Sequence, residues 1–134
     1  MIITIGSHKG GTGKSTLTTN LAAAYQSTGN RVVVIEADPS VSTTSTWAAR
    51  REEHAELKPV TVLRKTGRLA STLRDLAQSF DVVIIDTAGK DSVELRSAAL
   101  VSDVLLTPTN ADKPDLDSTA EFITRMDEAR DSNE

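Results

Sequence analysis

Residues Lys9-Gly10-Gly11-Thr12-Gly13-Lys14-Ser15-Thr16 pack three glycines, two lysines and three hydroxyls into eight positions, a composition suited to holding polyphosphate. Glycines without Cβ atoms let consecutive N–H groups turn inward as an anion nest. A helix starting at Lys14 adds its dipole and its unpaired amide donors. Lys14 would then neutralise β- and γ-phosphates, and the Ser15 hydroxyl would ligate Mg²⁺. The usual spacing G-x-x-x-x-G-K-[ST] requires glycine at position 8, where this chain has His8, read here as a loop residue.

Two acids stand beyond apolar runs. Asp86 follows Val82-Val83-Ile84-Ile85 and opens Asp86-Thr87-Ala88-Gly89. A carboxylate closing a buried strand is costly unless a cation lies near, and Mg²⁺ held through water is such a cation. Gly89 is expected to give the loop beyond it freedom to move. Asp38 follows Val32-Val33-Val34-Ile35 and precedes Pro39-Ser40. It admits two readings, a turn or helix cap on one hand and an acid serving metal and attacking water on the other.

Such groups need a scaffold, and the apolar pattern supplies one. Strands are expected at Ile2–Ile5, Val32–Ile35, Val60–Leu63, Val82–Ile85 and Val104–Thr107. Helices are expected at Lys14–Thr28, Ser42–Ala55, around Leu69–Phe80, Ser92–Leu100 and Asp115–Arg130, the last with Leu116, Ala120, Ile123 and Met126 on its packed side. Alternation of this kind predicts an α/β three-layer sandwich on a mostly parallel central sheet, with ligands at the carboxyl ends of the strands. The loops after the first, second and fourth strands hold all the residues above.

The 134 residues are read as one domain, 1–134. With no cysteine there is no disulfide framework, thiolate zinc site or cysteine-held cluster. The opening apolar run is too short for a signal peptide or a membrane span, so a cytoplasmic location is expected. The net charge of −4 is uneven, with residues 111–134 carrying eight acids and three bases. Seven bases against three acids lie between Arg50 and Arg74, a local excess that suits either a solvated face or a polyanion. Trp47 is read as packing and His54 as surface.

At Lys9-Gly10-Gly11-Thr12-Gly13-Lys14-Ser15 the sequence resembles the ParA/MinD family of deviant Walker A ATPases, and it is nearest to small ParF-type plasmid-partition proteins. Asp38 matches the family's D-x-D-P motif, with Glu36 in place of the first aspartate, and Asp86 matches its Walker B acid. Val101–Leu106 before Thr107-Pro108-Thr109, and Lys113-Pro114-Asp115-Leu116-Asp117, are similar to further family segments. The resemblance implies a P-loop NTPase fold, ATP and Mg²⁺ as ligands, and slow hydrolysis of ATP to ADP and phosphate. It implies phosphate binding by Lys9, Gly10, Gly11, Thr12, Gly13, Lys14, Ser15 and Thr16, catalytic parts for Lys9, Lys14 and Asp38, and Mg²⁺ at Ser15, Asp86 and Asp38. Lys9 would reach phosphates bound by the other subunit of an ATP-dependent homodimer, as an arginine finger does. Implied partners are a centromere-binding ParB-type adaptor and nonspecific DNA, with the protein associated with the nucleoid. The family continues for about another third beyond this chain, which is short at its C-terminus. Rival readings are a non-hydrolysing switch or decoy paired with a full-length relative, a MinD-like membrane ATPase (disfavoured by the acidic C-terminus) and a small-molecule kinase.

Overall fold

A computed structural model describes residues 1–131. Its elements run β1 (Ile2–Ile5), α1 (Lys14–Ser27), β2 (Val32–Glu36), α2 (Thr43–Glu52), β3 (Thr61–Arg64), α3 (Ala70–Ser79), β4 (Val82–Asp86), α4 (Val93–Ala99), β5 (Val104–Leu106) and α5 (Lys113–Asp131). The five strands form one sheet in the order β3-β2-β4-β1-β5. Every pairing is parallel, so the expected mostly parallel sheet is wholly so.

Apolar runs, interrupted in β1 by the buried Thr4, make the three inner strands because both of their faces are covered. Ile3, Ile5, Val32, Val34, Val82 and Ile84 meet α1 and α2 on one side, with Trp47 packed against that cluster as expected. Ile2, Val33, Ile35, Val83 and Ile85 meet α3 and α4 on the other through Leu69, Leu73 and Ala98. Each such aliphatic side chain, buried completely, contributes about 1.5–3 kcal/mol. The outer strand β3 differs. Thr61, Leu63 and Arg64 are exposed, and a charged residue closes it, which protects an open sheet edge.

The last helix departs from expectation. It begins at Lys113, where the Asp112 carboxylate caps it by accepting from the Asp115 amide at 3.0 Å. Its buried residues are Asp115, Thr119, Phe122 and Met126, whereas Leu116 and Ile123 are 49% and 43% exposed. The apolar row Leu116–Ala120–Ile123 is therefore not the packed face. The packed face instead seats Phe122 and Met126, the latter as expected, against Leu95 and Ala99, and adds two polar contacts: Thr119 donates to Thr109 at 2.9 Å, and Asp115 binds Lys9.

One ion pair joins the start of β2 to the start of β4. Arg31 reaches Asp81 through its guanidinium at 2.8 Å and its backbone N–H at 2.8 Å. The Arg31 contacts hold the Asp81 carboxyl down at about 2 from an ordinary 3.8. A depressed carboxylate stabilises above its unfolded value and loses that contribution as pH falls through the folded one. Asp81→Asn should therefore lower the urea midpoint modestly above about pH 4, with the difference from the wild type shrinking as pH falls from about 4 to 2.

Candidate functional site

Parallel register brings three strand ends together. Ile5 pairs with Asp86, and Asp86 pairs with Glu36, so the loops after β1, β2 and β4 leave the sheet side by side. They enclose a cleft of about 290 Å³ lined by Gly10, Gly13, Lys14, Ser15, Asp38 and Asp86 among others.

The phosphate loop has the conformation its glycines permit. Gly11 and Gly13 sit at φ 74° and 91°, left-handed backbone that costs other residues about 1–2 kcal/mol. Gly13 is the N-cap of α1 and has no side chain to cap that end, so the first-turn amides suit an anion. Lys14 is buried, and its Nζ donates to Ser7 Oγ and to the Lys9 carbonyl, each at 3.2 Å. Burial pushes this ammonium below its ordinary pKa, and the charges of Asp86 and Asp38 partly offset that. The sequence reading missed Ser7, which is 1% exposed and donates to the Lys9 carbonyl at 2.6 Å. It braces the loop from within.

Asp86 is 3% exposed. Its Oδ2 accepts from Thr44 Oγ1 at 2.8 Å, while its Oδ1 is buried with no hydrogen-bond partner. Burial raises its pKa and the Glu36 charge adds to this, against the nearby Ser15 hydroxyl, the Thr44 hydrogen bond and the charge of Lys14. A buried, unsatisfied carboxylate oxygen beside the Ser15 hydroxyl fits a hard cation such as Mg²⁺. Among the described residues no group of three or more His, Cys, Asp or Glu could hold a metal alone, so such an ion would also need phosphate and water oxygens.

Asp38 forms the turn and also stands at the cleft. The residue lines the cleft, and its Oδ1 also accepts from the Ser40 N–H at 2.9 Å and Ser40 Oγ at 2.5 Å in an Asx-type turn. Glu36 is buried and caps the first turn of α2. Thr44 and Ser45, whose hydroxyls weaken α2 as a sequence-level helix, are the groups that bind Asp86 and Glu36.

Lys9 contributes its carbonyl to the loop, but its side chain is engaged elsewhere. The Nζ pairs with both Asp115 oxygens at 2.8 and 3.0 Å, and Asn110 Nδ2 donates to the same carboxylate at 2.7 Å. The hydrogen bond and charge of Asp115 raise the Lys9 pKa, and Lys9 in turn lowers that of Asp115. His8 packs at 6.4 Å from the Phe122 ring and His54 is exposed, as expected of loop and surface residues. Gly89 differs from expectation: a Cβ there would lie 2.5 Å from Gly10 backbone, so glycine is needed for close approach of two loops. The basic stretch also divides. Arg51 lies over Trp47, Arg64 pairs with Glu36, and Arg68 and Arg74 line a separate groove beside α4.

Comparison with known proteins agrees with this geometry. The CobQ/CobB/MinD/ParA nucleotide binding domain matches residues 3–131. Maintenance of carboxysome distribution protein A of Gloeobacter kilaueensis is 33% identical over 125 residues, covering 92% of this chain and 56% of that protein. Among solved structures, the septum site-determining protein MinD of Pyrococcus horikoshii, complexed with Mg-ADP, superposes with a TM-score of 0.75 at 23% identity, covering 96% of this chain and 65% of that one. A plasmid partition protein of Borrelia burgdorferi bound to AMPPNP gives 0.73 at 23%, covering 99% and 71%. The chain spans little more than half the length of the curated relatives it matches. With its P-loop α/β fold, its glycine-lined cleft and this match, the chain belongs to the CobQ/CobB/MinD/ParA nucleotide-binding family.

Proposed function

We propose that the chain binds ATP with Mg²⁺ and hydrolyses it slowly, with an ATP-dependent homodimer as the working state of a ParA-type partition or positioning system. The observation that carries this reading is the cleft itself, which a glycine-capped helix start, a buried lysine and a buried carboxylate with one oxygen unpaired among the described residues line together. Structures of relatives complexed with Mg-ADP or AMPPNP support the choice of ligand.

The amides of Gly10–Ser15 would hold phosphate oxygens, and Lys14 would bridge the β- and γ-phosphates. Ser15 and Asp86 would hold Mg²⁺, which neutralises charge developing on the phosphates. Asp38 would orient the attacking water once Ser40 shares or releases its carboxylate. Lys9 acts on the phosphates of a second subunit only after leaving Asp115, so the pair acts as a latch. Lys9 is 51% exposed there but the Asp115 side chain is only 9% exposed, so release leaves a buried carboxylate with Asn110 as its remaining side-chain donor, a cost that contact with phosphate would have to offset. A ParB-type adaptor and nonspecific DNA remain the partners in this reading, with cytoplasmic, nucleoid-associated location. Among the described residues no helix is long and apolar enough to cross a membrane.

Steady-state phosphate release from ATP tests the enzymatic half. Release is expected from the wild type, with a loss of about 100-fold or more in Asp38→Ala and in Lys9→Ala, the scale on which single transition-state groups act. Tight Mg²⁺-dependent nucleotide binding with no release above background would favour the non-hydrolysing switch.

A further inference from the structure

We infer that Glu36 and Arg64 form a positioning clamp that sets the β2–α2 segment, and with it Asp38 and Thr44, for the nucleotide site. The inference rests on that site being the one proposed above. Glu36 is 2% exposed, at the end of β2 and in register with Asp86. Its Oε1 accepts from the Thr44 and Ser45 backbone N–H groups at 2.9 and 3.2 Å. Its Oε2 accepts from Ser45 Oγ and lies 3.3 Å from Arg64 Nε.

One carboxylate thus satisfies two first-turn amides of a helix whose N-cap residue, Ser42, makes no side-chain cap. The helix dipole favours the negative charge there. Arg64 closes the arrangement from β3, where its Nη2 donates to the Val41 carbonyl at 3.3 Å. The guanidinium therefore touches both ends of the segment 36–41, and Asp38 lies between them. At the far end Thr44, whose amide Glu36 holds, spends its hydroxyl on Asp86.

Two buried carboxylates on adjacent strands repel, and Arg64 is the cation that balances the first of them. Length matters at position 36. An aspartate would be shorter by one methylene, about 1.5 Å, and would not reach the α2 amides from the same backbone. The glutamate is thus a specific fit to α2, and Glu36 and Arg64 act through Asp38 and Thr44 without touching the reacting atoms.

The test uses the full chain with Arg64→Ala, Glu36→Asp and Glu36→Gln. Without nucleotide, hydrogen exchange at the Thr44 and Ser45 amides should quicken about tenfold or more in Arg64→Ala and Glu36→Asp, and acrylamide should quench Trp47 of α2 more readily, since charge-assisted bonds are lost. With ATP and Mg²⁺, the kcat for phosphate release should fall about tenfold while KM moves less than about threefold, because Lys14 and the loop amides are untouched. Glu36→Gln can keep an acceptor for the amides but loses the Arg64 charge pair, and should fall between. It also serves as the second variant if Arg64→Ala does not fold. Wild-type exchange and quenching in the folded variants overturn the clamp. Faster exchange in a chain whose wild type releases no phosphate supports the clamp and overturns hydrolysis instead.

Discussion

Gly89→Ala is expected to lose about 2 kcal/mol of stability and most of the chain's nucleotide affinity, although the substituted residue touches no phosphate. An added Cβ would stand 2.5 Å from both the Cα and the N of Gly10 and 2.6 Å from the Lys9 carbonyl oxygen. These are backbone atoms of the phosphate loop, so they cannot rotate away. Relief requires moving the loop that carries the amide donors, or moving the segment after Asp86. Either motion separates Asp86 from Ser15 and opens the cleft. Gly6 offers the contrast. A Cβ there meets Leu95 Cδ1 at 2.3 Å, the end of a flexible side chain, so Gly6→Ala should be milder on both counts. Thermal melts and titration with a fluorescent ADP analogue check the pair. Wild-type affinity in Gly89→Ala would show that loop contact is dispensable.

Lys14→Met should reduce nucleotide affinity at least about 100-fold, the equivalent of two tenfold steps of about 1.4 kcal/mol each. The nucleotide-free chain should be no less stable than the wild type. Lys14 is a buried ammonium held by two long hydrogen bonds to neutral oxygens, and burial lowers its pKa. The sign follows from linkage. A lysine with a folded pKa below its unfolded value burdens the fold while both states are charged, and stability rises as pH climbs from the folded toward the unfolded value near 10.4. Methionine fills similar space without the charge. The wild type should thus gain stability relative to Lys14→Met on alkaline titration, with the difference shrinking toward about pH 10. Urea midpoints across that range, beside affinity measured at neutral pH, test both halves. A variant that binds normally would remove Lys14 from the phosphate site.

Much of this site is legible in residue order because its parts are local. A glycine-rich turn between a strand and a helix, and an acid closing a buried strand, carry their chemistry in a few adjacent residues. The inner strands are equally plain, since both faces are buried and the runs are apolar apart from Thr4, which bonds Ser102, and the acids that close β2 and β4. What hydropathy hides is polar burial. The inward face of α5 carries Asp115 and Thr119, bonded to Lys9 and Thr109, beside Phe122 and Met126, while Leu116 and Ile123 face out. Glu36 is similar: its partners lie eight and nine residues ahead on α2 and on the next strand at Arg64. Gly89 is read as a flexible link until the backbone of Gly10 is found against it.

Lys9 links the two states of the proposed cycle, held by Asp115 in one and by a second subunit's phosphates in the other. The most direct measurement is light-scattering mass of the Asp38→Ala chain with and without ATP–Mg²⁺, so that turnover does not erase the complex. A doubling of mass that requires ATP and disappears in the Asp38→Ala, Lys9→Ala double variant is the predicted result. A mass indifferent to nucleotide, or an ATP-dependent doubling that survives loss of Lys9, would contradict it.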